Sequence, residues 1–345
     1  MPDKVLVTGV SGFLGGHVAL ALLNAGYAVR GSVRSLDKAE RVRATLKRAT
    51  ASGNIDGLEI VALDLMKDEG WQDAMAGCRY LQHVASPFVV EIPKDKDELI
   101  RPAVDGTRRA LNAALSANVE RIVLTSSMAA ASYGHGPGHT APFGAADWTS
   151  LEGQHVNAYA QSKTLAEREA WMILDSAGRH DDLAVINPNA IMGPLLDEDP
   201  GTSAGLIARL MAGGIPALPR LYFPMIDVRD VAAAHVRAMV VPWAGGHRFP
   251  MGEKTMSVLD VANTIRAAMP EFAGRMPKRQ VPDWVVRLFA VVDADMRSNL
   301  GELGVVRRTD SSDVVKLLGR PLISSEDAVI ATARSLVAEG VVKRP

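Results

Sequence analysis

The first half of the chain alternates short apolar runs, rich in β-branched residues, with longer stretches of helical periodicity. Strands with few polar residues are buried on both faces, and a helix between successive strands lets them run parallel. The alternation therefore predicts a doubly wound, parallel α/β sheet. The predicted strands are Val5–Thr8, Ala28–Val33, Leu58–Leu63, Tyr80–Ala85, Arg121–Thr125 and Leu183–Asn187, and the predicted helices are Phe13–Asn24, Leu36–Lys47, Asp97–Ala117 and Tyr159–Ser176.

The pattern changes after Pro188, where glycine and proline recur at short intervals and mark turns. Helical patterns return at Val228–Met239, Val258–Met269 and Ser325–Glu339. We divide the chain into residues 1–187, which carry the predicted sheet, and residues 188–345, which form mainly a smaller, irregular α/β lobe. Because no clean linker separates the two parts, we expect them to be interleaved and to share a cleft.

Charge and cysteine content narrow the classes of function. The net charge is −1 with no block of like charges, which argues against nucleic acid or an anionic membrane as a partner. Cys78 is the only cysteine, so no internal disulfide can form, and without a cysteine or histidine cluster we expect no metal site. We interpret the run from Gly134 to His139 as a polar loop. With no leader and no apolar stretch long enough to span a bilayer, we expect a cytoplasmic protein.

A glycine-rich segment joins the first predicted strand to the first predicted helix. Glycines at 9, 12 and 15 allow a tight turn, close approach of the backbone to a pyrophosphate, and close packing of the helix on the strand. The free N–H groups and the positive dipole end of the helix attract an anion. The segment thus predicts a Rossmann dinucleotide-binding domain over residues 1–187, with an ordinary turn as the alternative. The expected contacts are Thr8, Gly9, Ser11, Gly12, Phe13 and Leu14.

The end of the second predicted strand indicates which dinucleotide binds. NAD sites place an acidic residue there for the ribose hydroxyls, whereas arginine suits a 2′-phosphate. Here Arg34 ends the strand, and Lys38 and Arg41 lie on the helix that follows, so three cations could converge on a phosphate. The alternative for Lys38 and Arg41 is a solvated helix face. We expect NADP(H) as the cofactor.

Two other segments at strand ends are candidate cofactor contacts. Asp64 follows the third strand and could accept a hydrogen bond from the adenine amino group. Val84, Ala85 and Ser86 end the fourth strand, where small residues would let the nicotinamide ribose approach the backbone. A purely structural role is an equally good interpretation of each segment by itself.

Three residues carry the predicted chemistry. Ser127 follows the fifth strand, at the edge where open α/β sheets place their sites, and Tyr159 and Lys163 lie one helical turn apart on a predicted helix. Hydride delivery to a carbonyl leaves an alkoxide that needs a proton. An ammonium beside a phenol stabilises the phenolate and so makes tyrosine a better acid and base. Ser127 would hydrogen-bond the carbonyl oxygen. A Tyr-x₃-Lys spacing alone is common by chance, but together with the glycine motif and the strand-end serines it is specific.

These motifs resemble the extended short-chain dehydrogenases/reductases, and within them the dihydroflavonol-4-reductase-like group that includes cinnamoyl-CoA reductases and bacterial aldehyde or ketone reductases. The resemblance spans roughly residues 4–240. The matching stretches are 7–15, 29–34, 83–87, 124–127, 159–167, 187–194 and 226–232.

The resemblance implies a Ser–Tyr–Lys triad at Ser127, Tyr159 and Lys163, with Ser126 as the alternative serine. It also implies NADP contacts at Arg34 and Arg41, at Asp64 and Leu65, and near the nicotinamide at Pro188, Asn189 and Ile191. Plant flavonoid reductases carry an Asn or Asp shortly after the serines, whereas this chain has alanines at 129–131 and then a serine. We therefore expect a smaller or more apolar aldehyde or ketone.

The predicted function is the NADP(H)-dependent interconversion of an aldehyde or ketone and an alcohol, by a monomer or a homodimer. One alternative is a nucleotide-sugar epimerase or dehydratase of the same extended family, against which Arg34 argues. Another is a cofactor-sensing protein without turnover, which would tend to lose the tyrosine or the lysine.

Overall fold

A computed structural model describes residues 2–86, 95–136, 138–291 and 300–345. Pro87, which belongs to one of the matching stretches, and Pro137, which belongs to the predicted polar loop, lie outside these ranges. Seven parallel strands form the main sheet, in the spatial order Leu58–Ala62, Ala28–Val33, Lys4–Val7, Tyr80–His83, Arg121–Thr125, Leu183–Pro188 and His247–Met251. Three strands form a second sheet, in the order Lys254–Ser257, Tyr222–Asp227 and Ala190–Met192. The doubly wound α/β fold is thereby confirmed.

The strands of the described residues are β1 (Lys4–Val7), β2 (Ala28–Val33), β3 (Leu58–Ala62), β4 (Tyr80–His83), β5 (Arg121–Thr125), β6 (Leu183–Pro188), β7 (Ala190–Met192), β8 (Tyr222–Asp227), β9 (His247–Met251) and β10 (Lys254–Ser257). The α-helices are α1 (Phe13–Asn24), α2 (Ala39–Ala49), α3 (Trp71–Met75), α4 (Asp97–Ser116), α5 (Ala158–Ser176), α6 (Gly201–Met211), α7 (Val228–Val240), α8 (Val258–Ala268), α9 (Asp283–Phe289), α10 (Ser312–Leu318) and α11 (Ser325–Ala338).

The predicted strands and helices of the first half are all present, with ends shifted by up to three residues. Strand β4 ends at His83 rather than Ala85, because the backbone N–H groups of Val84 and Ala85 donate to Thr8 Oγ1, at 3.0 and 2.9 Å, instead of to the neighbouring strand. The predicted helix 36–47 begins with a 3₁₀ turn at Leu36–Lys38 before α2. As a result Lys38 lies in this turn and not on α2.

The sequence did not predict β9 or the second sheet. Strand β9 pairs in parallel with β6 and completes the main sheet, so the polypeptide returns to this sheet after residue 187. Its sequence His-Arg-Phe-Pro-Met contains a proline and two basic residues, and an edge strand tolerates a proline that a central strand would not.

The core follows from the alternation of side chains along the parallel strands. Val5 and Val7 point to the face covered by α1 and α7, whereas Leu6 points to the face covered by α4 and α5. A separate cluster that includes Ile207, Phe272 and Ile265 holds the second sheet against α6, α8 and α11. Within the described residues, no helix is long and apolar enough to cross a lipid bilayer.

Candidate active site

The glycine-rich turn packs too tightly for side chains at two of its glycines. Gly9 has φ +74°, and a β-carbon on it would lie 3.0 Å from the Cβ of Ala85. A β-carbon on Gly15 would lie 2.2 Å from the carbonyl oxygen of Gly9, so the first turn of α1 rests directly on the loop. These close contacts explain why positions 9 and 15 are glycines. They also leave the backbone of the turn uncovered by side chains at these two positions.

The amino end of α1 is free to bind an anion. Gly12 precedes the helix without capping it through a side chain, and the first turn carries no acidic residue. Ser11 and Phe13 line the groove above it together with Leu196 from the second half of the chain, while Leu14 is buried in the core. The uncapped N–H groups and the helix dipole suit a pyrophosphate.

The three cations proposed for the 2′-phosphate differ in their surroundings. Arg34 directly follows β2, and its exposed guanidinium has no hydrogen bond or ion pair to any residue that the structure describes; the same is true of the Lys38 ammonium. The Arg41 guanidinium, in contrast, donates to Asp197 at 3.0 and 3.1 Å and pairs with Glu198 at 3.4 Å. Arg34 and Lys38 can therefore receive a phosphate without first losing a partner.

Thr8 and His83 fix the segment that follows β4. The Thr8 hydroxyl accepts two backbone N–H groups, so its own proton goes to His83 Nδ1, 3.0 Å away, and the other ring nitrogen of His83 carries the hydrogen. Complete burial, with the nearby Lys163 ammonium as a second cause, lowers the pKa of His83 to about 3. His83 is thus a neutral donor on the wall of a small cavity behind Lys163.

Tyr159 and Lys163 lie on one face of α5. The helix begins after Asn157, and the Asn157 side chain caps it by accepting the backbone N–H of Ala160 at 2.8 Å. Tyr159 is 40% exposed, and the Lys163 Nζ lies 5.8 Å from the centroid of its ring. Lys163 Nζ also donates to Ser86 Oγ at 3.0 Å. Lys163 therefore connects the tyrosine with the end of β4.

The serine pair lies where α5 packs against the turn after β5. Ser127 Oγ accepts the backbone N–H of Ala129 at 3.1 Å and approaches the carbonyl oxygen of Pro188 at 3.5 Å. Ser126 Oγ donates to Glu167 at 2.5 Å and is buried. Because the Ser126 hydroxyl already donates its proton to a carboxylate, Ser127 is the better candidate for a substrate contact.

The remaining candidate contacts are partly occupied by internal bonds. Asp64 accepts the backbone N–H of Met66 at 2.9 Å, while Leu65 lines the cavity behind Lys163. The Asn189 side chain donates to Met251 O at 2.9 Å and to Thr309 Oγ1 at 2.7 Å, so it holds two distant segments together. Ile191 lies in β7 and is partly buried.

Some residues of the site have no role in the sequence analysis. Glu167 is buried beneath Lys163 and the serines, and Arg248 from β9 forms an ion pair with it. Tyr133 lies under the Arg307 guanidinium, 4.4 Å from its ring centroid, and burial raises the pKa of Tyr133 to about 12. The position of Glu167, one turn after Lys163, was a usable signal; no local pattern points to Arg248 or Arg307.

Metal-ligand geometry is not found in the described parts of the chain, where no group of three or more His, Cys, Asp or Glu side chains could hold a metal ion. His135, His139 and Phe143 form a ring cluster, with His139 stacked on Phe143 at 4.1 Å.

The fold and the glycine turn define this chain as a protein of the dinucleotide-binding, doubly wound class. The family model described as the NAD-dependent epimerase/dehydratase family matches residues 5–252. The chain belongs to this family, and within it to the extended short-chain dehydrogenases/reductases, as its motifs predicted.

Similar sequences and solved structures indicate which members of this family the chain resembles. A ketoreductase, azaE, from Aspergillus niger is 34% identical over 304 residues, which cover 82% of this chain and 87% of the relative. Cinnamoyl-CoA reductase CAD2 from Medicago truncatula is 32% identical, covering 81% and 85%. The yeast methylglyoxal/isovaleraldehyde reductase Gre2, solved in complex with NADPH, is similar over 98% of this chain and 100% of its own, with a TM-score of 0.78 and 26% identity.

Proposed function

We propose that the protein is an NADPH-dependent carbonyl reductase in which Tyr159 donates a proton to the substrate oxygen. The observation that carries this proposal is the placement of Tyr159 and Lys163 on one helix face, with Lys163 bound to the segment after β4 and Ser127 at the neighbouring strand end. The substrate lobe would be formed mainly by residues 188–345.

The glycine turn fits a dinucleotide, because only glycine at 9 and 15 avoids clashes with Ala85 and with the Gly9 carbonyl oxygen, and because the uncapped amino end of α1 that rests on the turn suits a pyrophosphate. The exposed, unpaired Arg34 favours a 2′-phosphate and hence NADP(H) over NAD(H). The NADPH complex of the similar yeast reductase supports the same choice. When bound, NADPH supplies the hydride for reduction.

The chain's own residues supply the other half of the reaction. Tyr159 gives its hydroxyl proton to the oxygen of the carbonyl that receives the hydride, so an alcohol forms. Ser127 donates a hydrogen bond to the same oxygen and stabilises the charge that develops there. The cationic Lys163 stabilises the phenolate left on Tyr159 and is placed to hold the nicotinamide ribose.

The relatives and the segment after the serines support a small or apolar carbonyl compound as the substrate. Ketoreductase, cinnamoyl-CoA reductase and methylglyoxal/isovaleraldehyde reductase are the activities named for similar proteins. Alanines occupy positions 129–131, and all three are buried. Because alanine side chains cannot hydrogen-bond substrate hydroxyls, this segment favours an aldehyde or ketone of small or apolar character over a polyhydroxylated substrate.

The test is NADPH oxidation in the presence of isovaleraldehyde and benzaldehyde, compared with NADH. We expect turnover with NADPH, and Tyr159→Phe should lower kcat by about 100- to 10,000-fold. Tyr27→Phe, far from the site, is the matched control and should keep wild-type activity. Turnover of UDP- or dTDP-sugars without net NADPH oxidation would instead support an epimerase, and unchanged activity of Tyr159→Phe would refute the proton-donor role.

A further inference from the structure

Glu167 is a fully enclosed acidic residue that the reaction scheme does not use. It is 1% exposed and lies on α5 one turn after Lys163 and two turns after Tyr159, on the same helix face. Both oxygens of its carboxylate accept hydrogen bonds, and the two oxygens face different parts of the molecule.

Oε2 faces the serine pair. It accepts a hydrogen bond from Ser126 Oγ at 2.5 Å and another from Asn187 Nδ2 at 2.7 Å. Asn187 Nδ2 also donates to the backbone oxygen of Ser127 at 3.3 Å. Through this one oxygen, the helix that carries Tyr159 is joined to the ends of β5 and β6 on either side of Ser127.

The other carboxylate oxygen of Glu167, Oε1, faces the positively charged Arg248. It accepts from Arg248 Nε at 2.5 Å, and the Arg248 side chain is 8% exposed. The same guanidinium donates to the carbonyl oxygens of Ala145 and Asp147 and lies 3.9 Å from the ring centroid of Trp148. Arg248 thus neutralises the buried carboxylate from the side away from the serines.

Stabilisation of the fold is a poor explanation for the buried ion pair of Glu167 and Arg248. Removing two charges from water costs several kcal/mol per ion, and apolar replacements of buried ion pairs are often neutral or stabilising. Asn187 Oδ1 and Arg248 Nη2 are buried and have no hydrogen-bond partner among the described residues. An incompletely satisfied polar network is less stable than apolar packing, so its position beside Ser127 calls for another explanation.

We propose that Glu167 is a positioning residue, whose Oε2 fixes the Ser126–Ser127 turn against the Tyr159 helix while Arg248 supplies the counter-charge. This inference rests on the proposed reductase function. Misplacing a catalytic group by about 1 Å can cost about 100-fold in rate, so loss of this contact should reduce kcat.

Two double variants separate the positioning contact from the ion pair. Glu167→Gln with Arg248→Met keeps an acceptor oxygen for Ser126 and Asn187, whereas Glu167→Leu with Arg248→Met removes it; both lack the charges. With NADPH and isovaleraldehyde, we expect the glutamine variant to stay near the wild-type kcat. The leucine variant should lose about 100-fold in kcat, with the NADPH Kd and aldehyde KM little changed. Amide hydrogen exchange at residues 126–130 should accelerate only in the leucine variant.

Ser126→Ala tests the same contact without a change in charge. We expect a kcat loss of about tenfold, the value of one hydrogen bond to a charged group. Ser52→Ala removes a hydroxyl that accepts the backbone N–H of Asn54 at 3.1 Å in the loop before β3, at the edge of the sheet opposite the serine pair, and should have no effect. Wild-type kcat in the leucine variant or in Ser126→Ala would overturn the proposal, as would a parallel loss of kcat, NADPH affinity and Tm in the leucine variant.

A wild-type protein inactive with both aldehydes would contradict the proposed function instead, and the hydrogen-exchange result would still test the positioning contact.

Discussion

The ammonium of Lys163 donates a hydrogen bond of 3.0 Å to the hydroxyl of Ser86, which joins helix α5 to the end of β4. Ser86 follows Ala85, whose backbone N–H is held by Thr8 of the glycine turn. A short chain of contacts therefore connects the backbone cradle for a dinucleotide with the helix that carries the proton donor.

The first prediction compares the two partners of this hydrogen bond. Lys163→Met removes the cation beside Tyr159 and should lower kcat by about 100- to 10,000-fold. Ser86→Ala removes a single neutral acceptor, so its effect should stay within about tenfold. Steady-state kinetics with NADPH and isovaleraldehyde measure both. Equal losses in the two variants would mean that Ser86, and not the charge of Lys163, carries the effect.

The second prediction concerns selectivity for the 2′-phosphate. Arg34 is free of partners among the described residues, so Arg34→Ala should weaken NADPH binding by about 10- to 100-fold, the value of a charge-assisted bond, and leave NADH nearly unchanged. Arg41→Ala should weaken NADPH less, because Asp197 and Glu198 already engage this guanidinium. Titration calorimetry with both cofactors gives the four dissociation constants. If Arg34→Ala weakened both cofactors equally, the phosphate contact would be refuted.

The third prediction uses two neighbouring glycines of α1. A β-carbon on Gly15 would lie 2.2 Å from the backbone oxygen of Gly9, whereas one on Gly16 would lie 3.4 Å from a flexible leucine side chain. Gly15→Ala should therefore lower Tm and weaken NADPH binding. Gly16→Ala should be neutral or slightly stabilising, since alanine favours a helix by about 1 kcal/mol over glycine. Thermal unfolding with and without NADPH distinguishes them, and a wild-type Tm for Gly15→Ala would contradict the close packing.

The fourth prediction is a dependence of stability on pH. His235 is buried between Gln82 and Thr125, at 2.7 and 3.0 Å, and burial lowers its pKa from 6.5 to about 3. Between these values the unfolded chain binds a proton that the folded chain does not. The free energy of unfolding should therefore fall as the pH decreases below 6.5, by up to about 1.4 kcal/mol per pH unit for this residue.

Urea denaturation at several pH values measures this slope. His235→Gln should reduce the slope, while His247→Gln, which alters an exposed histidine, should leave it unchanged. His83, also held neutral by burial, should contribute in the same direction and the same pH range. A slope that stays the same in His235→Gln would show that this histidine is not the source.

Much of the fold was predictable because its signals are local. The apolar runs at β1 to β6 and the helical periodicity of α1, α2, α4 and α5 are read from the local sequence. Their ends differ from the predicted ends by up to three residues, as at β4, where Thr8 accepts the next two backbone N–H groups. Strand β9 was missed because its proline and basic residues do not resemble a buried strand. Its pairing with β6 exists only once the sheet has formed.

The candidate active site shows the same division between features that local sequence predicts and features that depend on distant residues. Glycines 9, 12 and 15 and the pair Tyr159 and Lys163 are close in sequence, so their spacing predicts both the backbone turn and the shared helix face. Arg41 stays a predicted phosphate contact, but its ion pair with Asp197 joins residues 156 positions apart, and no local pattern reveals that pair.

The sequence by itself therefore determined the order of strands β1 to β6, the glycine turn and the face of α5 that carries Tyr159 and Lys163, because turn geometry and periodicity act over a few residues. Only the tertiary structure decided that β9 completes the sheet and brings Arg248 to Glu167, 81 residues apart, beneath the serine pair. The physical reason is that a buried charge needs a partner within hydrogen-bond distance, and packing of the whole chain selects that partner.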